Sequence, residues 1–380
     1  MRVAILVTHL LGSGHLARAL TLGRAVDAAG HKAVVLSGGM PAPQLATSGV
    51  QFVQLPPLRS DGVAFTRLLD ADGGEASAAL LDARATAIRA ALVASPVDVL
   101  ITELFPFGRR VLRAEFLSAI EAARSQTPAP LICASIRDIL APPSKPARAE
   151  TTQDIITRLY DAVLVHADPD VTPLEASWPV TGALAAKLHY TGFVAPLPPG
   201  PHPDGIGSGE ILVSAGGGDV GGALFEAALS AAVATPAWRW RVLVGGGADA
   251  RVATLADAAP SNLKVEPARP DFRQMLQGSA ASVSMAGYNT ALDLLQTGTP
   301  AVLIPFDAGG ETEQSLRAAA LSKLPGVEVL RTAELTGERL RDAVAKVQAA
   351  PPRAPRADGM EGAARTVEIL QELLEARRAD

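Results

Sequence analysis

The chain has a single cysteine, Cys133, among its 380 residues, so no intrachain disulfide can staple the fold. A reducing compartment such as the cytoplasm fits that usage. Cys133 sits in the strand-like stretch 131–136 and reads as an inert, buried thiol. An excess of positive charge is also missing: 34 Lys and Arg stand against 39 Asp and Glu, a formal net charge of -5. Without a broad cationic field to track phosphate backbones, nucleic acid is not an expected partner. Aromatic residues make up only 4% while hydrophobic residues make up 48%, which describes a globular core of Ala, Val and Leu. Long apolar runs are absent too. The longest early one, residues 3–11, is interrupted by His9 and stopped by Gly12, well short of the ~20 residues a spanning helix requires. A signal peptide is the other reading of that run. Arg2 alone makes a thin positive flank, however, and no A-x-A-like cleavage site follows, so a first buried strand is the better assignment.

What is present is a regular alternation. At 380 residues two domains are the expectation, one large barrel the alternative. Runs of Val, Ile and Leu at 3–7, 33–36, 97–102, 131–135 and 162–165 predict strands, separated by Ala-rich amphipathic stretches. Continuous apolar strands divided by helices mean a parallel sheet covered on both faces, a doubly wound α/β arrangement. Ala19, Leu22, Val26 and Ala29 share one face of a helix that Gly30 closes. The Pro- and Gly-rich stretch 196–209 holds neither helix nor central strand and predicts an interdomain linker. A second series of strands follows at 211–214, 241–244, 263–265, 282–285, 301–305 and 327–330. The domains are therefore expected at 1–195 and 210–350. Pro351, Pro352 and Pro355 break the chain again, and within 351–380 Val367, Leu370, Leu373 and Leu374 share the face of a last helix that can pack back on the first domain.

Two glycine loops mark ligand chemistry. After the first strand, Gly12-Ser-Gly14-His15-Leu-Ala17 has the G-x-G-x-x-A form of a dinucleotide fingerprint. A nicotinamide enzyme also needs an acidic residue ending its second strand, and here residues 33–36 run into Ser37-Gly38-Gly39, which argues against NAD. His15 is placed where a helix start meets the carboxyl edge of a parallel sheet and is a candidate general base. Capping its own helix is its structural alternative. In the second half, Gly216, Gly217 and Gly218 lead into another helix start, suited to phosphate through free N–H groups and the helix dipole. No Lys-Ser/Thr pair follows, so this is not an ATP-binding Walker loop.

Further along, Ser284, Gly287, Tyr288, Asn289 and Thr290 form a strand-to-helix turn with Asn289 and Thr290 as cap-type groups, and Asp293 lies one turn inside. Asp293 either accepts hydrogen bonds from a diol or complements the dipole. Glu313 and Gln314 offer acceptors and an amide donor suited to sugar hydroxyls, or form an ordinary acidic helix start.

These features together resemble the GT-B nucleotide-sugar transferases, especially glycosyltransferase family 28 and the peptidoglycan N-acetylglucosaminyl transferases. The segments Thr102-Glu-Leu-Phe-Pro-Phe-Gly-Arg109 and Ser135-Ile-Arg-Asp-Ile-Leu140 resemble a bacterial group of predicted glycosyltransferases. The resemblance implies two Rossmann-like domains facing a central cleft and a UDP-sugar donor. It assigns the diphosphate to Gly216, Gly217, Gly218 and the turn from Gly287 to Thr290, the ribose to Asp293, the uracil edge to Phe272 and the donor sugar to Glu313 and Gln314. His15, in the loop with Gly12 and Gly14, deprotonates or orients the acceptor. The family commonly has Glu where this chain has Asp293, and Gln-Gln or Asp-Gln where it has Glu313-Gln314.

Glu103 follows a strand directly and is a candidate acceptor ligand or catalytic carboxylate, or else a partner for Arg109 or Arg110. Arg137 and Asp138 can form a salt-linked pair at a strand end. No His/Cys cluster calls for a metal, and no metal or cofactor is expected. The expected function is inverting transfer of a sugar from a UDP-sugar to an unidentified lipid or small-molecule acceptor, with the protein cytoplasmic and in peripheral contact with the inner membrane face if the acceptor is a lipid. A rim at 55–62 and 65–69 could serve such an acceptor, or be an ordinary packed loop and helix. Hydrolysis or epimerisation of the donor on the same fold, and a non-catalytic sugar-nucleotide sensor, are the alternatives.

Overall fold

The structure, a computed structural model, describes residues 1–10, 12–43, 45–60, 67–215, 221–245, 249–306 and 312–379, with Asp249 described by its backbone only. It forms two compact units, Met1–Pro196 with Gly359–Asp380, and Leu197–Asp358.

The first unit is built on strands β1 (Arg2–Val7), β2 (Lys32–Gly39), β3 (Gln51–Leu58), β4 (Val99–Glu103), β5 (Leu131–Arg137), β6 (Ala162–His166) and β7 (Leu188–Tyr190). Its helices are α1 (Gly14–Ala28), α2 (Ala78–Ala94), α3 (Arg113–Arg124), α4 (Pro146–Leu159) and α5 (Gly182–Ala185). The strands pair in parallel in the order β3-β2-β1-β4-β5-β6-β7, so the direction of winding reverses between β1 and β4. In an open sheet of this kind the crevice for ligands lies beyond the carboxyl ends of the strands at that reversal. Helix α1 buries Leu16, Ala19, Leu20, Leu22 and Val26 against Val3, Ile5 and Val35 of the sheet. Each such large side chain contributes ~1.5–3 kcal/mol by leaving water. Ala29 is exposed at the helix end, so the buried face stops at Val26.

Two strands escape a reading of apolar runs. β3 carries Gln51, Gln54, Pro56 and Pro57, and β7 has only three residues, all half-buried. Both lie at sheet edges, where a missing ladder partner makes proline and polar side chains tolerable.

The second unit contains β8 (Ile211–Ser214), β9 (Trp240–Val244), β10 (Leu263–Pro267), β11 (Ala281–Ser284), β12 (Ala301–Leu303) and β13 (Val327–Val329). Its helices are α6 (Gly222–Ala234), α7 (Asp249–Asp257), α8 (Phe272–Leu276), α9 (Tyr288–Thr297), α10 (Glu313–Leu321) and α11 (Gly337–Ala349). Its parallel order β10-β9-β8-β11-β12-β13 reverses between β8 and β11. The core packs Val213, Val242 and Val283 against Leu224, Phe225, Leu340 and Val344. Gly298 ends α9 at φ 68°, and a Cβ there would lie 2.3 Å from the Arg353 carbonyl oxygen, so both backbone conformation and space call for glycine.

The stretch 197–209 is pinned to the second unit. His202 Nε2 donates to Asp271 at 2.9 Å, the Gly209 N–H donates to the Gly278 carbonyl at 2.9 Å, and Arg239 donates to the Ser208 carbonyl at 2.8 Å. Residues 351–358 stay with that unit through Arg353, which donates to the carbonyls of Leu294, Thr299 and Pro325. The last helix, α12 (Gly362–Ala379), returns to the first unit and buries Val367, Ile369 and Leu370 beside α1, with Leu373 and Leu374 partly covered. No helix among the described residues is long and apolar enough to cross a membrane.

Candidate functional site

His15 and Glu103 occupy the two sides of the reversal in the first sheet. The chain leaves β1, turns through Gly12 and Gly14, and enters α1 with His15 as its second residue. A Cβ on Gly12 would meet nothing within 4 Å, so the loop is open at that point. Glu103 is the last residue of β4, the neighbour of β1. His15 Nδ1 lies 2.8 Å from Glu103 Oε1, with side-chain exposures of 13% and 1%. The imidazole therefore contacts β4 rather than capping its own helix, and the N-cap, Ser13, makes no side-chain capping bond either. Arg18 Nη2 lies 3.2 Å from the same nitrogen, but the shorter contact is to Glu103, an acceptor, so the proton sits on His15 Nδ1, Arg18 makes no hydrogen bond to it, and the Nε2 lone pair is left available.

Glu103 is held from three directions. Arg18, one turn along α1 and 3% exposed, donates to the same Oε1. Ser135 of β5, directly across the ladder from Glu103, donates to Oε2 at 2.6 Å. Ser135 has one proton and gives it to the carboxylate, so the 2.9 Å contact with His166 Nε2 has the histidine as donor. His166 Nδ1 lies 2.9 Å from the Thr191 hydroxyl, whose single proton is also within reach of the Gly192 carbonyl at 2.7 Å.

Burial, the largest influence, lowers His15 to about 3, with Arg109 and Arg137 adding to the fall and the Glu103 bond opposing it. Burial alone would raise the Glu103 carboxyl, but Arg18 and the bonds from His15 and Ser135 outweigh it and hold the group below the ordinary carboxylate range. His166 is also lowered to about 3, first by burial and then by Arg18. Arg109 sits at the end of the loop that follows β4, where its Nε donates to the Thr8 carbonyl at 2.7 Å. The ion-pair partner of Glu103 is thus Arg18. Arg109 acts on Glu103 through charge, and Arg110 is exposed. Arg137 ends β5 half-buried, and Asp138 is buried at 2% exposure.

At the end of β2, a buried arginine occupies the place a nucleotide-binding carboxylate would take in a nicotinamide enzyme. Arg84 is fully buried, pairs with both oxygens of Glu115 at 2.7 and 2.8 Å, and donates to the Gly38 and Pro56 carbonyls. Cys133 is fully buried in the sheet core, and burial pushes its thiol upward, consistent with an inert side chain.

In the second unit, Gly216, Gly217 and Gly218 lie outside the described residues. The helix they lead to, α6, has Gly221 as its N-cap at φ 96°, and the Arg251 guanidinium lies over the Phe225 ring, 5.6 Å from its centre, near that start. Gly287 is the N-cap of α9 and has no side chain to offer. Asn289 is exposed and Thr290 half-buried, and the glycine N-cap leaves the first N–H groups of α9 without a capping bond from that position. The expectation that Asn289 and Thr290 cap the helix is corrected here: both lie inside it, beyond the N-cap. Ser284, at the end of β11, is buried at 1% exposure, and Tyr288 at 6%.

The remaining sequence candidates already have protein partners. Asp293 Oδ1 accepts from Arg273 Nε at 2.6 Å, and the same guanidinium reaches Gln296 at 2.6 Å. Burial raises the Asp293 carboxyl, against the pull of Arg273. Phe272, the residue before Arg273, is half-buried at the start of α8. Glu313 pairs with Arg317 one turn on at 2.9 Å, and Arg317 also donates to the Ala286 carbonyl at 2.9 Å and lies 5.8 Å from the centre of the Tyr288 ring. Gln314 Oε1 accepts from the Phe306 N–H at 3.1 Å. Glu313 and Gln314 thus brace the start of α10 against the end of β12 and the turn before α9. The sequence reading missed Arg18, Arg273 and Arg317. Two of them stand at helical i+3 or i+4 spacing from a named candidate, a signal that was there to be used. Among the described residues no group of three His, Cys, Asp or Glu side chains could hold a metal ion.

Residues 242–373 match the model of the glycosyltransferase family 28 C-terminal domain. Among curated proteins, the chain is 33% identical over 118 residues to a UDP-N-acetylglucosamine--N-acetylmuramyl-(pentapeptide) pyrophosphoryl-undecaprenol N-acetylglucosamine transferase of Exiguobacterium sibiricum, covering 30% of this chain and 32% of that one. It is 31% identical over 173 residues to the protein of the same name from a Synechococcus species, covering 43% and 44%. The matched part thus spans less than half the length of these relatives. Solved structures match along nearly all of the chain. The calicheamicin glycosyltransferase CalG4 superposes with a TM-score of 0.62 at 18% identity, covering 100% of this chain and 96% of that one. Acinetobacter baumannii MurG superposes with a TM-score of 0.59 at 15% identity, covering 100% and 99%. With two doubly wound parallel sheets and a family 28 C-terminal match over residues 242–373, the chain has the GT-B glycosyltransferase fold and is similar to family 28 over that stretch.

Proposed function

We propose that this chain transfers a sugar from a UDP-sugar to an acceptor hydroxyl with inversion at the anomeric carbon. The observation that carries the proposal is the hydrogen-bonded pair of His15 and Glu103 at the reversal of the first sheet. Glu103 fixes His15 in the tautomer whose Nε2 takes the acceptor proton. The acceptor oxygen then attacks the anomeric carbon as the bond from that carbon to the diphosphate breaks, and the electron pair leaves with UDP. On the donor side, the uncapped start of α9 offers N–H groups and a positive dipole end to the diphosphate. The Asp293 carboxylate, fixed by Arg273, faces the ribose hydroxyls, and Phe272 lies by the uracil edge. The names of the curated relatives support UDP as the nucleotide. Cytoplasmic location, with contact at the membrane face for a lipid acceptor, belongs to the same proposal.

Replacing His15 with Ala tests it. Turnover of UDP-sugar should fall by ~100-fold or more while UDP binding stays within twofold of the wild type. Undiminished turnover in His15→Ala defeats the assignment of the base. The same assay run without acceptor separates the outcomes: free sugar appearing in step with UDP makes water the acceptor, and a new UDP-sugar without UDP makes the chain an epimerase.

A further inference from the structure

We propose that Ser135 and His166 are positioning residues that hold Glu103 in the orientation the His15 base requires; the proposal rests on the transferase assignment above and adds two fully buried side chains to the machinery of that site.

The face of the first sheet that α1 and α12 cover changes character along its strands. On it β4 presents Val99 and Ile101, β5 presents Leu131 and Cys133, and β6 presents Ala162 and Leu164, all in one core cluster with Leu20 of α1 and Leu370 of α12. Two residues on, where the same face of each strand comes round again, stand Glu103, Ser135 and His166. All three are 2% exposed or less, so contact with water explains none of them. Nor does stability call for them, since well-packed apolar residues of similar volume commonly serve a fold as well as a buried ionic cluster or better. The three are joined in a row, Glu103 to Ser135 at 2.6 Å and Ser135 to His166 at 2.9 Å, and the row ends on His15.

Counting protons gives the row a direction. Ionised Glu103 only accepts; His15 and Arg18 share Oε1, which leaves Oε2 for the single proton of Ser135. A hydroxyl turns about its C–O bond unless a second partner fixes it. His166 is that partner: its Nε2–H points at the Ser135 oxygen, so the Ser135 proton cannot swing toward the ring. Thr191 lies against the other ring nitrogen at 2.9 Å and sets the plane of the imidazole. The terminal torsion of a glutamate is broad and roughly two-fold. Ser135 on Oε2 restricts it and so keeps Oε1 turned toward His15 Nδ1. His166 therefore acts on the base only through Ser135 and Glu103.

The test uses the full chain with Ser135→Ala, Ser135→Thr, His166→Leu and the double variant Ser135→Ala/His166→Leu, with the urea midpoint of each measured. One readout needs no substrate: proton-detected nitrogen-15 spectra report the His15 tautomer, its signals identified by their loss in His15→Gln. The Nδ1–H form is expected in the wild type and in Ser135→Thr, and a mixture of both forms in Ser135→Ala and His166→Leu. The other readout is UDP release from UDP-N-acetylglucosamine, the donor in the names of the curated relatives. Here kcat should fall by ~10-fold or more in Ser135→Ala and in His166→Leu with KM within about twofold, while Ser135→Thr stays within about threefold of the wild type. The double variant should be no slower than the slower single one, because the two residues act in series. An unchanged His15 tautomer in folded Ser135→Ala overturns the proposal, and so do losses of kcat that multiply in the double variant; should His166→Leu not fold, Ser135→Ala decides alone. A wild type that releases no UDP from this donor, or a His15→Ala chain that releases it at the wild-type rate, counts against the transferase and base assignments instead, and the tautomer spectra then decide whether Ser135 and His166 orient the pair.

Discussion

Glu103→Gln preserves the shape of the side chain and removes its charge. In the wild type, Oε1 accepts from His15 and Arg18 and Oε2 accepts from Ser135, in a position 1% exposed. A neutral amide has one acceptor oxygen and presents N–H donors where the other oxygen was, so it opposes either Ser135 or the Arg18–His15 pair. If the amide nitrogen faces His15, the imidazole moves its proton to Nε2 and loses the lone pair the reaction needs. In a hydrolase triad the comparable loss of tautomer control costs ~10⁴-fold in turnover. Here a loss of ~10²–10⁴-fold is expected, since Gln can also keep one favourable orientation. A hundredfold loss corresponds to about 2.7 kcal/mol. Raising the pH will not rescue the variant. Glu103 opposes the fall of the His15 pKa to about 3, so removing it moves the pKa lower still, and His15 is already neutral in ordinary buffers. Leaving Arg18 without its buried partner costs ~3–5 kcal/mol of stability at most, so UDP affinity and the urea midpoint must be measured beside turnover. Folded Glu103→Gln protein with wild-type turnover would refute the coupling of these side chains.

Two further outcomes follow from the same reasoning. Arg317→Met leaves Glu313 buried without its cation, and the urea midpoint should drop by an amount equivalent to ~3–5 kcal/mol, whereas the double variant Arg317→Met/Glu313→Leu should recover much of the loss; strict additivity of the two single changes contradicts a partnership. Stability should also decline on acidification between pH 6.5 and about 3. His15 and His166 are lowered to about 3 in the folded chain, so across that window the unfolded chain binds more protons, and each histidine withdraws a contribution on the order of a few kcal/mol as the pH falls. Urea midpoints at pH 7.5 and pH 5 check this, and a flat profile in the wild type contradicts the neutral, buried state of the two rings.

The sheets were largely legible because their central strands are buried on both faces and must be written in continuous Val, Ile and Leu. That constraint relaxes at the edges, which is why β3, with its prolines and glutamines, and three-residue β7 leave no such signature. His15 was legible from the glycines before it and Glu103 from the strand it ends. Their pairing was not, because it depends on β4 entering the sheet beside β1, a crossover that brings together residues 88 apart in sequence. Glu313, Gln314 and Asp293 show the converse. Their residue types suit sugar and ribose hydroxyls, yet Arg317, the Phe306 N–H and Arg273 engage them in the structure. A residue type announces hydrogen-bonding capacity, and only tertiary packing decides what takes it up.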